Sequence, residues 1–115
     1  MAGTPKRLFG PVALTTTLTT NVYAGASGSA LLYDVILHIM IVNKTVSAAT
    51  FSLWLGATGA NAAGTEVIGL GKSVAANDTF HWYGRLRMIS TDFLVGGAGT
   101  ATALTITGEG EQSVI

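Results

Sequence analysis

Hydrophobic and polar positions alternate along much of the chain with the two-residue period of β-strands. Turn-forming residues, mostly glycine, asparagine, aspartate and serine, recur at short intervals, and the segments between them are rich in β-branched and aromatic residues. The predicted strands span residues 12–23, 31–43, 50–57, 65–74, 79–89, 92–96 and 100–108. About seven or eight short strands in one small chain predict an all-β fold, a small antiparallel β-sandwich of jelly-roll or immunoglobulin-like type.

The alternation is clearest in the predicted strand 79–89. Its apolar face consists of Phe80, Trp82, Leu86 and Met88. Its polar face consists of His81, Tyr83, Arg85 and Arg87. We therefore expect His81 to be a surface or interface residue rather than a metal ligand or catalytic base, because no carboxylate or serine stands at an obvious cross-strand spacing from it.

The predicted strand 31–43 is apolar on both faces. The face assigned to the core consists of Leu31, Tyr33, Val35, Leu37, Ile39 and Ile41. The opposite face, with Leu32, Asp34, Ile36, His38, Met40 and Val42, is too apolar to face water alone. Trp54 also points outward if Phe51, Leu53 and Leu55 point inward. Two explanations remain open: a loop or the N-terminal arm of the same chain covers these residues, or they form an interface between molecules, which we favour.

The length of 115 residues indicates one domain. Residues 1–20, rich in threonine and weakly patterned, are expected to form an N-terminal arm or edge strand, and residues 21–115 a single β-sandwich domain. No cleaved signal is expected, because Pro11 interrupts the apolar run near the N-terminus. The most apolar stretch, 30–42, is too short to span a bilayer, so no membrane segment is expected.

Composition narrows the function classes. Only 10% of the residues are charged, and six basic residues balance six acidic ones. An ordinary soluble domain has about 25% charged residues. A chain without a basic field is not expected to bind nucleic acid. The absence of cysteine excludes disulfides, thiol catalysis and cysteine-bound zinc.

No motif predicts catalysis, a cofactor or a metal site. The Gly-Lys-Ser of residues 71–73 lacks the earlier glycine of a phosphate-binding loop, since Glu66 stands in its place. Asp34 and His38 lie on one predicted strand face but about 13 Å apart, at ~3.3 Å per residue, too far to share a metal ion. Glu109 and Glu111 fall in a glycine-rich tail and are expected to be solvated. The chain is therefore expected to be a non-enzymatic protein without a cofactor.

Four segments carry a resemblance to a known group of proteins. They are KRLFGPVALTTTLTTNVY, HIMIVNKTVSAATFSLWLGATGANAAGT, SVAANDTFHWYG and TALTITGEGE. Together they cover nearly the whole chain, which resembles small β-sandwich structural proteins of tailed bacteriophages. The resemblance implies a virion component, either a capsid decoration (cement) protein or a subunit of the neck or tail, and it implies no catalytic residues. Asp34, Arg85 and Arg87 have no fixed place in that pattern.

These observations give one expectation and two alternatives. We expect a decoration protein that forms a homo-oligomer, a trimer, binds the major capsid protein or other virion proteins, and is assembled into the phage particle in the host cytoplasm. The residues expected at subunit or shell contacts are Trp54, Ile36, Met40, Tyr83, Arg85, Arg87 and, in the arm, Lys6, Arg7 and Leu8. The alternatives are a tail or neck subunit, and a glycan- or receptor-binding module that uses Trp54 or Tyr83 as a stacking platform.

Overall fold

A computed structural model describes residues 4–28 and 31–114 of the chain. The strands are β1 (Thr4–Ala13), β2 (Asn21–Ala24), β3 (Leu32–Asn43), β4 (Ala49–Gly56), β5 (Lys72–Val74), β6 (Thr79–Ile89), β7 (Phe93–Ala98) and β8 (Leu104–Val114). A short 3₁₀ helix, Gly25–Gly28, follows β2. Within these residues, no helix has the length and apolar character needed to cross a lipid bilayer.

The eight strands form two four-stranded antiparallel sheets. We name them sheet I, with the order β1-β8-β3-β6, and sheet II, with the order β2-β7-β4-β5. The predicted all-β antiparallel sandwich is confirmed. The interleaved order is that of a jelly roll, in which the chain repeatedly crosses from one sheet to the other, and it decides against the immunoglobulin-like alternative.

Two predicted strands differ from the observed ones. The predicted strand 12–23 is divided, because β1 ends at Ala13 and the threonine-rich loop 14–20 follows. Two carbonyls of this loop accept backbone N–H groups of β7. The predicted strand 65–74 contributes only β5. Its first part runs beside β4 irregularly, with Ile68 at a φ of 69°, a left-handed conformation that no regular strand adopts.

A single apolar core lies between the two sheets. Its fully buried large side chains come from both of them and include Ile36, Ile39, Ile41, Phe51, Leu53, Met88, Leu94, Leu104 and Ile106. The apolar face predicted for β6 is confirmed, since Met88 is buried and Phe80, Trp82 and Leu86 pack against this core. The inward direction predicted for Phe51 and Leu53 is also confirmed.

A β-bulge at Leu37 reverses the side-chain alternation in β3. Ile36 pairs with Gly110 of β8, and the next β3 residue in register is His38, which pairs with Glu109. One extra residue moves every later side chain to the other face of the strand. Ile36 and Ile39 therefore both point into the core and His38 points out. The prediction that Ile36 lies on an outer face is wrong, and Leu31, assigned to the core, is exposed.

Trp54 is buried within the single chain, with only 5% of its surface exposed. The segment after β4 turns back along that strand: the Leu53 N–H donates to the Gly69 carbonyl at 3.1 Å, and the Val67 N–H donates to the Leu53 carbonyl at 2.9 Å. Trp54 itself forms an isolated bridge with Glu66. The prediction of an exposed Trp54 is therefore wrong, and coverage by the same chain, the alternative left open by the sequence, holds for this residue.

Glu66 stabilises the loop that contains it. Its two carboxylate oxygens accept the Gly64 backbone N–H at 3.0 and 2.8 Å. This hydrogen bond, followed by one from its own backbone N–H, holds the pKa of the exposed Glu66 carboxyl below its ordinary value. Since the carboxylate is the bonded form, the contribution to stability is present above the ordinary pKa and is lost as the pH falls through the lowered one.

Asp34 is a buried structural residue rather than an outward contact. Its carboxylate accepts hydrogen bonds from the Tyr23 hydroxyl, from the Ala26 backbone N–H at 2.6 Å and from the Gln112 side-chain amide at 2.9 Å. These donors belong to β2, to the 3₁₀ helix and to β8. Asp34 therefore connects β3 to three other parts of the fold.

Candidate functional site

A row of polar side chains crosses the outer face of sheet I. Arg7 of β1 is in register with Glu109 of β8, Glu109 with His38 of β3, and His38 with Tyr83 of β6. The bulge at Leu37 brings His38 to this face, as described above. All four strands thus contribute one side chain to a line that begins with a cation, continues with an anion and ends with two aromatic rings.

Glu109, His38 and His81 form a hydrogen-bonded chain within this row. The Glu109 Oε1 atom lies 2.9 Å from His38 Nδ1, and His38 Nε2 lies 2.9 Å from His81 Nδ1. An ionised carboxylate only accepts hydrogen bonds. Glu109 therefore selects the His38 tautomer with its proton on Nδ1, His38 Nε2 accepts from His81 Nδ1–H, and His81 Nε2 is left with a free lone pair.

Tyr83 packs its ring against this chain. The ring centroids of Tyr83 and His38 are 4.5 Å apart with planes 7° from parallel, and the His81 ring lies 6.0 Å away at 14°. Tyr83 remains 71% exposed. The His38 side chain is 19% exposed and Glu109 61%. The three rings therefore form a stack of nearly parallel planes on the outer face of sheet I.

A groove of about 450 Å³ adjoins the row on the β1 side. Its lining comprises Pro5, Lys6, Arg7, Leu37, His38, Glu109, Gly110 and Glu111. Two cationic and two anionic side chains surround it, so it has no strong preference for one charge. Among residues 4–28 and 31–114, no three histidine, cysteine, aspartate or glutamate side chains converge to hold a metal ion by themselves.

The remaining predicted contact residues divide between this face and the strand edge. Met40 is half-buried and in register with His81, Arg85 is exposed, and the Arg87 guanidinium lies 4.5 Å from the centre of the Tyr33 ring. The β1 residues are Lys6, whose Nζ lies 3.4 Å from Gln112 Oε1, exposed Arg7, and half-buried Leu8, which packs against the core. Met40, Tyr83, Arg85 and Arg87 thus share one surface, whereas Ile36 and Trp54 lie inside.

Two members of this row, His38 and Glu109, were not assigned to a contact surface from the sequence. Glu109 was placed in a glycine-rich tail. It lies in a regular strand rather than a solvated tail, because Gly108 and Gly110 occupy inward positions of β8 where no side chain fits. A Cβ at Gly108 would lie 2.2 Å from the Phe9 ring. A sequence pattern could have predicted this strand, because the polar positions recur every two residues. They are Thr105, Thr107, Glu109 and Glu111. Counting glycine as an inward residue would have extended the predicted strand to Glu111.

Comparison with solved structures gives a likeness in fold, whereas the two other comparisons give no match. No protein-family model matches the chain, and no curated protein matches it. Among solved structures, it is similar to a chain in the full particle of Israeli acute paralysis virus heated to 63 degrees. The match covers 98% of this chain and 71% of that chain, at 13% sequence identity and a TM-score of 0.47. At this level of similarity, the likeness assigns no function.

Proposed function

We propose that this chain is a structural subunit of a virus particle, and specifically a capsid decoration protein of a tailed bacteriophage that assembles as a trimer. The observation that carries the proposal is the outer face of sheet I, where Met40, Tyr83, Arg85 and Arg87 lie on one rigid surface. Tyrosine, methionine and arginine are enriched at protein interfaces, and tyrosine and arginine dominate binding hot spots. The jelly roll is also a fold from which viral capsids are built.

Exposed apolar side chains at one end of sheet I extend this surface. Leu31, Ile89 and Val114 are all exposed, and the register places them at the end where β3 begins and β6 and β8 finish. Grouped apolar side chains of this kind mark contact surfaces more often than single ones do. A trimer that buries this end would present the Tyr83 face to the shell.

The assignment to a tailed bacteriophage is based on the resemblance of the sequence rather than on the fold. The fold supports a subunit of an assembly, but a fold alone hosts many functions. The resemblance of the sequence to small structural proteins of tailed bacteriophages is what favours a virus particle over other assemblies. The glycan-binding alternative is weakened, because Trp54 is buried and only Tyr83 remains as an exposed platform.

Binding to the shell is expected to depend on Tyr83 and the neighbouring arginines. We expect Tyr83→Ala combined with Arg85→Glu to weaken co-sedimentation with capsids that lack the protein by at least about tenfold, because both changes remove exposed hot-spot side chains without touching the core. Val46→Asp is the matched control, since Val46 is 88% exposed but lies in the turn after β3. Its binding should equal that of the unmodified chain.

Two outcomes would contradict the proposal. One is a clean monomer in light scattering at working concentration that also fails to bind capsids. The other is antibody labelling of purified particles that is confined to the tail, which would favour the tail or neck alternative.

A further inference from the structure

Two imidazole nitrogens face each other on the outer surface of sheet I, with a carboxylate behind one of them. We propose that His38 and His81 form a binding site for a divalent first-row transition metal ion such as Zn²⁺ or Ni²⁺, with Glu109 as the residue that orients His38. The chain contains only these two histidines. Their spacing of 43 residues gave no indication of a shared site, because β3 and β6 bring them together only in the folded sheet.

Glu109 prepares His38 for this role. A histidine that ligates a metal ordinarily donates its other ring N–H to a carboxylate or carbonyl, which fixes the tautomer and raises the basicity of the ligating nitrogen. Glu109 Oε1 lies 2.9 Å from His38 Nδ1, so the lone pair of Nε2 points away from the carboxylate and toward His81. The side chain that commonly accompanies a ligating histidine is therefore already in place.

The distance between the two nitrogens is close to that of a metal site. With Zn–N bonds of about 2.0–2.1 Å and a tetrahedral angle, two ligating nitrogens lie roughly 3.3 Å apart. His38 Nε2 and His81 Nδ1 lie 2.9 Å apart, and their ring planes are 12° from parallel. Exchange of the His81 ring proton from Nδ1 to Nε2 through solvent would give Nδ1 a lone pair for the ion, and a rotation of this exposed ring would direct it, while Glu109 and the Tyr83 stack hold His38.

The charges around the pair are compatible with a cation. Glu109 on β8 lies beside His38, whereas Glu111 lies two residues farther along β8 beside Val35, and Arg7 on β1 and Arg85 on β6 lie farther out in the two directions of the sheet. Since no third protein ligand converges within the described part of the chain, two coordination positions would remain for water or for an outside ligand. Such an open site differs from a closed structural zinc site.

Calorimetric titration of the untagged chain with ZnCl₂, repeated with NiCl₂, tests the proposal. We expect one ion per chain, with His38→Ala and His81→Ala each lowering the affinity at least about tenfold. Glu109→Gln should lower it by about tenfold, in the range reported for residues that orient metal ligands. Glu111→Gln is the matched control, because it removes the same charge from the same strand face two residues away and should leave the affinity unchanged.

The outcomes separate clearly. Equal metal affinity in the unmodified chain and in a His38→Ala/His81→Ala double variant would overturn the site. Equal losses of metal affinity in Glu109→Gln and Glu111→Gln would overturn the orienting role of Glu109. A second measurement is the ¹⁵N chemical shift of the ring nitrogens, which should move for both histidines on addition of Zn²⁺. Both experiments use the isolated chain, so their failure would leave the proposed role in a particle unaffected.

Discussion

Replacing Gly110 with alanine is expected to destabilise the folded chain by about 3 kcal/mol or more, because the new methyl group has no space. Gly110 lies in β8 opposite Ile36 of β3 and Lys6 of β1. A Cβ there would lie 1.9 Å from the Val35 carbonyl oxygen and 2.9 Å from its carbon. These are backbone atoms of the adjacent strand and cannot rotate away, so β8 would have to separate from β3. In a thermal unfolding experiment, we expect the Tm to fall by about 10 °C or more.

Gly56→Ala is the control for this prediction. Gly56 ends β4, and the nearest atom to an added Cβ is the Ala60 Cβ at 3.7 Å, an ordinary contact distance. The same chemical change should therefore alter stability by less than about 1 kcal/mol. If the two variants unfold at the same temperature, the close approach of β8 to β3 at Gly110 is incorrect.

Replacing Asp34 with alanine is expected to destabilise the chain by about 3 kcal/mol, because it removes an acceptor shared by three donors, one of them the buried Ala26 backbone N–H. The carboxylate accepts from the Tyr23 hydroxyl, the Ala26 backbone N–H and the Gln112 amide, and Asp34 itself is fully buried. Urea denaturation monitored by tryptophan fluorescence would measure the loss. It would also show whether the variant still unfolds in a single transition.

Two variants make the Asp34 result interpretable. Tyr23→Phe removes one donor and leaves the carboxylate in place, so it should cost about 1 kcal/mol. Asp34→Asn keeps one acceptor oxygen and the shape of the side chain, so its effect should lie between the other two. An Asp34→Ala variant no less stable than Tyr23→Phe would contradict the proposed role of the carboxylate as a shared acceptor.

The sequence pattern assigned the inward and outward faces of β6 correctly but not those of β3, and one extra residue in β3 explains the difference. The alternation in β6 is unbroken, so both of its faces could be assigned correctly from Phe80 to Met88. In β3, the extra residue at Leu37 moves Ile36 inward and His38 outward although their numbers have the same parity. A bulge depends on how β3 meets its neighbours, which a single strand's pattern does not record.

Trp54 and Asp34 show a second limit. Trp54 alternates away from the core and is nevertheless buried, in the strand followed by the segment that turns back along it. Asp34 was assigned to the outer face, but it precedes the bulge and therefore lies on the same inward side of β3 as Ile36, among donors from three other elements. A strand pattern assigns a face to a residue, but it does not say whether another part of the chain covers that face. Some of the apolar side chains that the sequence pattern assigned to outer faces are therefore buried within the single chain.

The candidate site could be predicted only in part. Tyr83, Arg85 and Arg87 were placed on the correct face of β6, because that face follows from alternation alone. The chain from Glu109 through His38 to His81 requires the β3–β8 and β3–β6 registers, since the three residues are separated by 71 and 43 positions. Long-range register of this kind is set by the whole sheet and is absent from any local motif.

The position of β8 has a consequence for how the molecule acquires its structure. β8 is the last of the eight described strands along the chain, yet it lies in the interior of sheet I, where it joins β1 to β3, and Thr4 is in register with Gln112. Until β8 emerges from the ribosome, β1 has no neighbour in sheet I and one edge of β3 is unpaired. Such long-range pairing slows folding into the range of milliseconds to seconds. The nascent chain therefore depends on late closure of the sheet, and premature termination before β8 would release an aggregation-prone fragment.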